Sequence, residues 1–173
     1  MYKYIVLLRG VNVGGNNLIP MKELSALLQT NGFVDVSTYI QSGNIVLKST
    51  SNPVSKIRAL VAEKFGFEPK VLALRVAQFM QAVANNPFKS FEGKTVHFYF
   101  CARAISLDKQ KLAKFASASE RIELIDNVFY LHAPDGIGRS KLVANIESCL
   151  GAPATGRNLN TVNKLVDMLA GVS

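Results

Sequence analysis

Four short clusters hold most of the residues that could do chemistry. The first is Arg9-Gly10-Val11-Asn12-Val13-Gly14-Gly15-Asn16-Asn17, where glycines let the backbone turn freely among one guanidinium and three amides. The second is Gln41-Ser42-Gly43-Asn44. The third, Asp135-Gly136-Ile137-Gly138-Arg139-Ser140-Lys141, and the fourth, Thr155-Gly156-Arg157-Asn158-Leu159-Asn160-Thr161, each precede an apolar helical pattern. Guanidinium, ammonium and amide donors beside helix N-termini suit an anion. The same residues also serve as plain turn formers and helix caps, and that alternative stands beside the first.

Other chemistries lack their signatures. Gly138-Arg139-Ser140-Lys141 is not a phosphate loop of the GxxxxGK[ST] type, and Gly10 to Gly15 is not GxGxxG. There is no Gly-x-Ser-x-Gly elbow. His97 lies mid-strand and reads as structural, whereas His132 ends a strand and is expected to reach solvent. Two isolated histidines make no metal site, so neither metal nor cofactor is expected. Ser140 and Lys141 are adjacent helical residues and do not face each other. Glu23, Asp35, Asp108, Glu120, Glu123, Asp135 and Glu147 form no evident pair. Only His132, Asp135 and Lys141 are near enough to the clusters to act as a base in an enzyme.

Composition narrows the partner. Lys and Arg total 20 against 12 Asp and Glu, a formal net charge of +8, which favours an anionic partner such as a nucleotide, a phosphorylated metabolite or a nucleic acid. The basic residues are scattered with no Lys/Arg block, which weakens the nucleic-acid case. Hydrophobic residues make up 49%, enough for a real core. No run approaches the roughly 18 apolar residues of a membrane span, and no signal segment is read at the N-terminus. Cys101 and Cys149 have no metal or redox spacing and read as buried free thiols of a cytoplasmic protein.

The elements that must position these clusters follow from periodicity. The apolar run Tyr4–Leu8 lies within a strand over residues 3–9. Met21, Leu24, Leu27 and Leu28 share a helix face, with Pro20 at its start and Asn31-Gly32 at its end. Val34 to Ile40 alternates as a strand with Val34, Val36, Thr38 and Ile40 on one face and Asp35, Ser37 and Tyr39 on the other; after the turn, Ile45 to Lys48 is the next. A helix with the stripe Val54, Ile57, Leu60, Val61 and Phe65 stops at Gly66, and Lys70 to Leu74 is a fourth strand. The order β-α-β-β-α-β is the ferredoxin-like unit. After a joining helix over Val76–Ala84 the order repeats approximately: strand Thr95–Cys101, helix Leu107–Ala116, strands Arg121–Ile125 and Phe129–His132, helix Ser140–Leu150. A final strand is missing, and a helix over Leu159–Leu169 takes its place. The expectation is an α+β protein of two ferredoxin-like halves, 1–76 and 77–173, in one packed body with an extra C-terminal helix.

Strands one and two of such a sheet point the same way, so the first two clusters meet at one end. RNA-type base stacking needs aromatics on strands one and three, and Ile45–Lys48 has none. Tyr2 and Tyr4 read as edge or core packing.

Together Leu7–Gly15, Tyr39–Asn44, Gly136–Leu142 and Thr155–Val162 resemble, nearly end to end, the bacterial DUF1697 family of uncharacterised proteins. The resemblance implies the same pair of α-β plait halves and brings no activity with it. It departs at Leu159, where the family commonly has an aromatic. It also implies that the four clusters act as a set. The expected composite site comprises Arg9, Asn12, Gly14, Gly15, Asn17, Gln41, Ser42, Gly43 and Asn44 with Arg139, Ser140, Lys141, Arg157, Asn158 and Thr161, rich in cations and amides and almost free of acid. The expected function is binding of a phosphate-bearing ligand. The alternatives are a hydrolase or transferase acting on such a ligand, and a purely structural interlock of the polar motifs.

Overall fold

The computed structural model describes residues 1–171, which form an α+β fold with two four-stranded antiparallel sheets. The chain divides into two compact units. Unit 1 is Met1–Gln81 together with the residues from Lys164 onward, and unit 2 is Ala82–Asn163. Relative to a division at residue 76, residues 77–81 and the end of the last helix go with unit 1.

In unit 1, β1 (Tyr2–Arg9) is followed by α1 (Met21–Thr30), β2 (Val34–Tyr39), β3 (Asn44–Ser49), α2 (Val54–Phe65), β4 (Lys70–Arg75) and α3 (Val76–Ala84), the last running into unit 2. The strand order is β2-β3-β1-β4. Tyr4, Val6 and Leu8 of β1 alternate onto one face, where they meet Met21, Leu24 and Leu28 of α1 and Ile57 and Val61 of α2. Gly66, at φ +80, closes α2 as a left-handed cap. Strand β2 corrects the simple alternation. Its register slips between Val34 and Ser37, with Asp35 at φ +51. Val36 still packs on the core, but Val34 and Ile40 are left 40% and 48% exposed.

In unit 2, a 3-10 turn (Gly93–Thr95) leads into β5 (Val96–Phe100), α4 (Lys109–Phe115), β6 (Arg121–Ile125), β7 (Val128–His132), α5 (Lys141–Ala144), α6 (Ile146–Leu150), β8 (Thr155–Asn158) and α7 (Leu159–Leu169). Asp126 and Asn127, both at positive φ, close the β6–β7 hairpin. The order here is β6-β7-β5-β8. Two expectations are corrected. The final strand exists: β8 pairs with β5, Phe98 opposite Arg157 and Phe100 opposite Thr155. Its four residues, Thr-Gly-Arg-Asn, show no apolar alternation, so only pairing reveals it. The helix over 140–150 is broken at Asn145, whose backbone N–H and side-chain amide both donate to the Lys141 carbonyl and end α5. The helix-facing core joins Tyr99, Cys101, Phe129 and Leu131 to Leu112, Leu142, Ile146, Cys149 and Leu150. Both cysteines are buried free thiols.

Candidate functional site

In unit 1 the two loops converge, because β1 and β2 are both antiparallel to β3 and therefore run in the same direction. The first loop folds on itself. Gly14 and Gly15, at φ +58 and +77, turn the chain so that Asn16 N–H donates to the Val13 carbonyl, and Asn12 N–H donates to the Asn17 carbonyl. Asn12 ties the loops together. Its Nδ2 donates to the Gln41 carbonyl at 2.8 Å, to Gln41 Oε1 at 3.3 Å and to the Ile19 carbonyl at 3.0 Å. Its Oδ1 accepts from Ile19 N–H at 2.8 Å. Asn17 Nδ2 donates to the Gly10 carbonyl at 3.0 Å. Asn44 is fully buried and donates to the Tyr39 carbonyl and to Ser42 Oγ. Gly43 accepts from Leu8 N–H through its carbonyl, and a Cβ there would lie 2.7 Å from Leu8 Cβ. Most amides of these clusters therefore serve the loops themselves, while Gly14, Gly15, Asn17, Gln41 and Ser42 stay exposed. Arg9 is half-buried and sits directly across from Lys70 of β4.

In unit 2 the third cluster opens onto a cleft of about 430 Å³. One wall is the end of α4 and the segment after it, with Lys114, Ser117, Ser119 and Glu120. The other is the segment from β7 into α5, with Asp135, Gly136, Arg139, Ser140 and Lys141. Ser140 caps α5 by accepting from Val143 N–H and donates to Glu120 Oε2 at 2.6 Å. The other oxygen of Glu120 accepts from Ser117 N–H at 2.8 Å. Ser119 Oγ donates to Asp135 Oδ2 at 2.7 Å. Glu120 and Asp135 thus share one cleft, which corrects two expectations: that the carboxylates form no evident pair, and that the site is almost free of acid. Lys114, Arg139 and Lys141 are exposed there, and among the described residues none of the three forms an ion pair with a carboxylate. Lys114, Ser117 and Ser119 went unnoticed, and Glu120 was not placed beside the third cluster, because only the tertiary fold brings the α4–β6 connection beside the β7–α5 one.

The fourth cluster does not line this cleft. Arg157 points to the sheet face opposite the helix-facing core, is 9% exposed, and donates through Nη1 to the Gly156 carbonyl. Burial pulls its pKa down to about 10. Asn158 caps α7 by accepting from Thr161 N–H at 3.0 Å. Leu159 and Thr161 are buried, so Leu159 serves as packing.

The histidines are no bases for this cleft. His132 is buried rather than solvent-facing, with its ring stacked on Phe91 at 3.8 Å between centroids. Burial first, then the Arg121 charge, lowers its pKa. Burial likewise lowers that of His97 against a hydrogen bond to the Lys94 backbone. His97 Nε2 and His132 Nδ1 have no hydrogen-bond partner among the described residues. Tyr99 lies close enough to Glu120 to feel its charge; burial first and that carboxylate second push its pKa up to about 12. The described residues contain no group of three or more His, Cys, Asp or Glu able to hold a metal ion, and no helix long and apolar enough to cross a membrane. Tyr2 is half exposed beneath the Arg75 guanidinium, 4.0 Å from its ring centroid, and Tyr4 is core.

A family model described as "Protein of unknown function (DUF1697)" matches residues 1–130. Among curated proteins none matches the chain. Among solved structures, a conserved bacterial protein from Streptococcus pneumoniae is 24% identical over 97% of this chain and 98% of its own, with a TM-score of 0.70. At that identity the likeness is one of fold.

Proposed function

We propose that this chain, which belongs to the DUF1697 family of unknown function, binds a small phosphate-bearing molecule in the cleft of unit 2. The observation that carries this reading is the cleft itself, with three exposed cations at its walls, none of which, among the described residues, forms an ion pair with the carboxylates beside it. Its volume, about 430 Å³, lies in the range of small-molecule sites, roughly 300–1,000 Å³. We read each sheet with its helices as a ferredoxin-like plait, supported by the β-α-β-β-α-β order and the central placement of β1 and β3, and of β5 and β7. A reducing, cytoplasmic setting suits the two free thiols.

For the unit 1 clusters a second reading, structural interlock, is favoured by Asn12, whose amide is spent on Ile19 and Gln41. An enzyme acting on the same ligand would draw its base from Glu120, Asp135 or Lys141.

The test is a thermal-shift series with inorganic phosphate, sugar phosphates, mononucleotides and short oligonucleotides. A small phosphate compound at a hundred times its Kd stabilises by about 2.7 kcal/mol. Arg139→Glu with Lys141→Glu should abolish that shift while leaving the unliganded melting point nearly unchanged, since both side chains are exposed. A shift that survives both substitutions refutes this placement of the site. A shift with oligonucleotides alone, fading with salt, indicates backbone binding instead.

A further inference from the structure

Bare phosphate does not account for the whole cleft. Two carboxylates sit among the three cations, and each already holds a hydroxyl: Ser140 Oγ on Glu120 Oε2 at 2.6 Å and Ser119 Oγ on Asp135 Oδ2 at 2.7 Å. Such short O–H···O⁻ bonds are the charge-assisted contacts that carboxylates make to sugar hydroxyls. Among the described residues neither carboxylate is paired with Lys114, Arg139 or Lys141, so both signs of charge remain available to a ligand. The two acids differ in how they are held. Glu120 is half-buried and fixed at both oxygens, by Ser117 N–H and by Ser140. Asp135 is exposed, and its Oδ1 has no hydrogen bond among the described residues. A polyanionic strand would bring further phosphates toward these carboxylates, whereas a bipartite small molecule would satisfy both halves of the cleft.

We propose that the ligand is a sugar phosphate, free or as part of a ribonucleotide, whose phosphate meets Arg139 and Lys141 and whose neighbouring hydroxyls donate to Asp135 and Glu120. This rests on the reading of the cleft as a phosphate site. Asp135 Oδ1 takes the first hydroxyl, and a second displaces Ser119 or Ser140 from its carboxylate. Ser140 can release that bond and still cap α5, because it caps as an acceptor and meets Glu120 as a donor.

The test is calorimetric titration of the full chain with ribose 5-phosphate, adenosine 5′-monophosphate, n-propyl phosphate, inorganic phosphate and ribose. Ribose 5-phosphate should bind at least about ten-fold tighter than n-propyl phosphate, the factor expected when hydroxyls gain charge-assisted bonds. Asp135→Asn should remove most of that advantage without weakening n-propyl phosphate. Glu120→Gln, which keeps an oxygen for Ser117 N–H, should remove the rest. Equal affinity for ribose 5-phosphate and n-propyl phosphate overturns the hydroxyl assignment and leaves the phosphate site standing. Binding of the mononucleotide without ribose 5-phosphate also overturns it, because the base would then be the determinant. No affinity for any phosphate overturns both.

Discussion

Asn12→Gly tests whether the loop after β1 is locked by one side chain. The substitution removes the Nδ2 bonds to the Ile19 and Gln41 carbonyls and to Gln41 Oε1, and the Oδ1 bond from Ile19 N–H. Ile19 is a fully buried residue and its two bonds to Asn12 are part-buried, so its N–H and C=O lose partners that water replaces only in part. Leaving buried groups unsatisfied costs about 1–3 kcal/mol, whereas the exposed bonds to Gln41 rehydrate for about 0.5 kcal/mol. The expected loss is therefore about 3 kcal/mol, a fall in Tm of roughly 6–12 °C for a chain of this length. Glycine accepts the φ of +54 at this position. Asn12→Ala should cost about 1 kcal/mol more, because a Cβ is strained in the left-handed region. Urea unfolding followed by circular dichroism, with unchanged m, reads both values. An Asn12→Gly protein within about 0.5 kcal/mol of the parent would refute the interlock.

Gly43→Ala should cost about 2–4 kcal/mol, since a Cβ at φ +88 would press on Leu8 at 2.7 Å; a melting point within about 2 °C of the parent would show that the β2–β3 turn can shift away. His97 and His132 have folded pKa values lowered from the ordinary 6.5, so the stability they carry is complete above that pH and is lost as pH falls through it toward the folded values. Melting points should therefore drop between about pH 7 and pH 5. His132→Phe, which keeps a ring against Phe91, should flatten part of that slope; identical slopes would show that His132 is not a source of the acid sensitivity.

The first sheet and its loops were largely legible in the residues. Met21, Leu24 and Leu28 mark a helix by spacing, Gly66 marks a helix end, and the β-α-β-β-α-β order of unit 1 suits a sheet in which β1 and β2, each antiparallel to β3, run in the same direction. That shared direction puts the loop after β1 and the turn after β2 at one end of the sheet, where Asn12 meets Gln41. What escaped was set by pairing and by loop neighbours. Thr155–Asn158 is a strand only because the free edge of β5 accepts it, and no alternation of its own announces it. Val34 leaves the buried face because a register slip moves it, a matter of backbone geometry rather than residue type. Asn145 interrupts a pattern that side-chain spacing reads as one helix.

The cleft shows the same divide most sharply. Gly136 to Lys141 stands out in the chain as a polar cluster at a helix start. Glu120 and Lys114 carry no local mark, and they reach Arg139 and Ser140 only because antiparallel β6 and β7 place Arg121 opposite His132, bringing the segment before β6 beside the one after β7. The sequence by itself determined which residues can bear charge and donate hydrogen bonds, through their chemistry and local spacing. The tertiary structure decided which of them share solvent, spending Asn12, Asn44 and Asn158 within the fold and leaving Arg139, Lys141 and Asp135 open, because strand pairing sets which loops become neighbours.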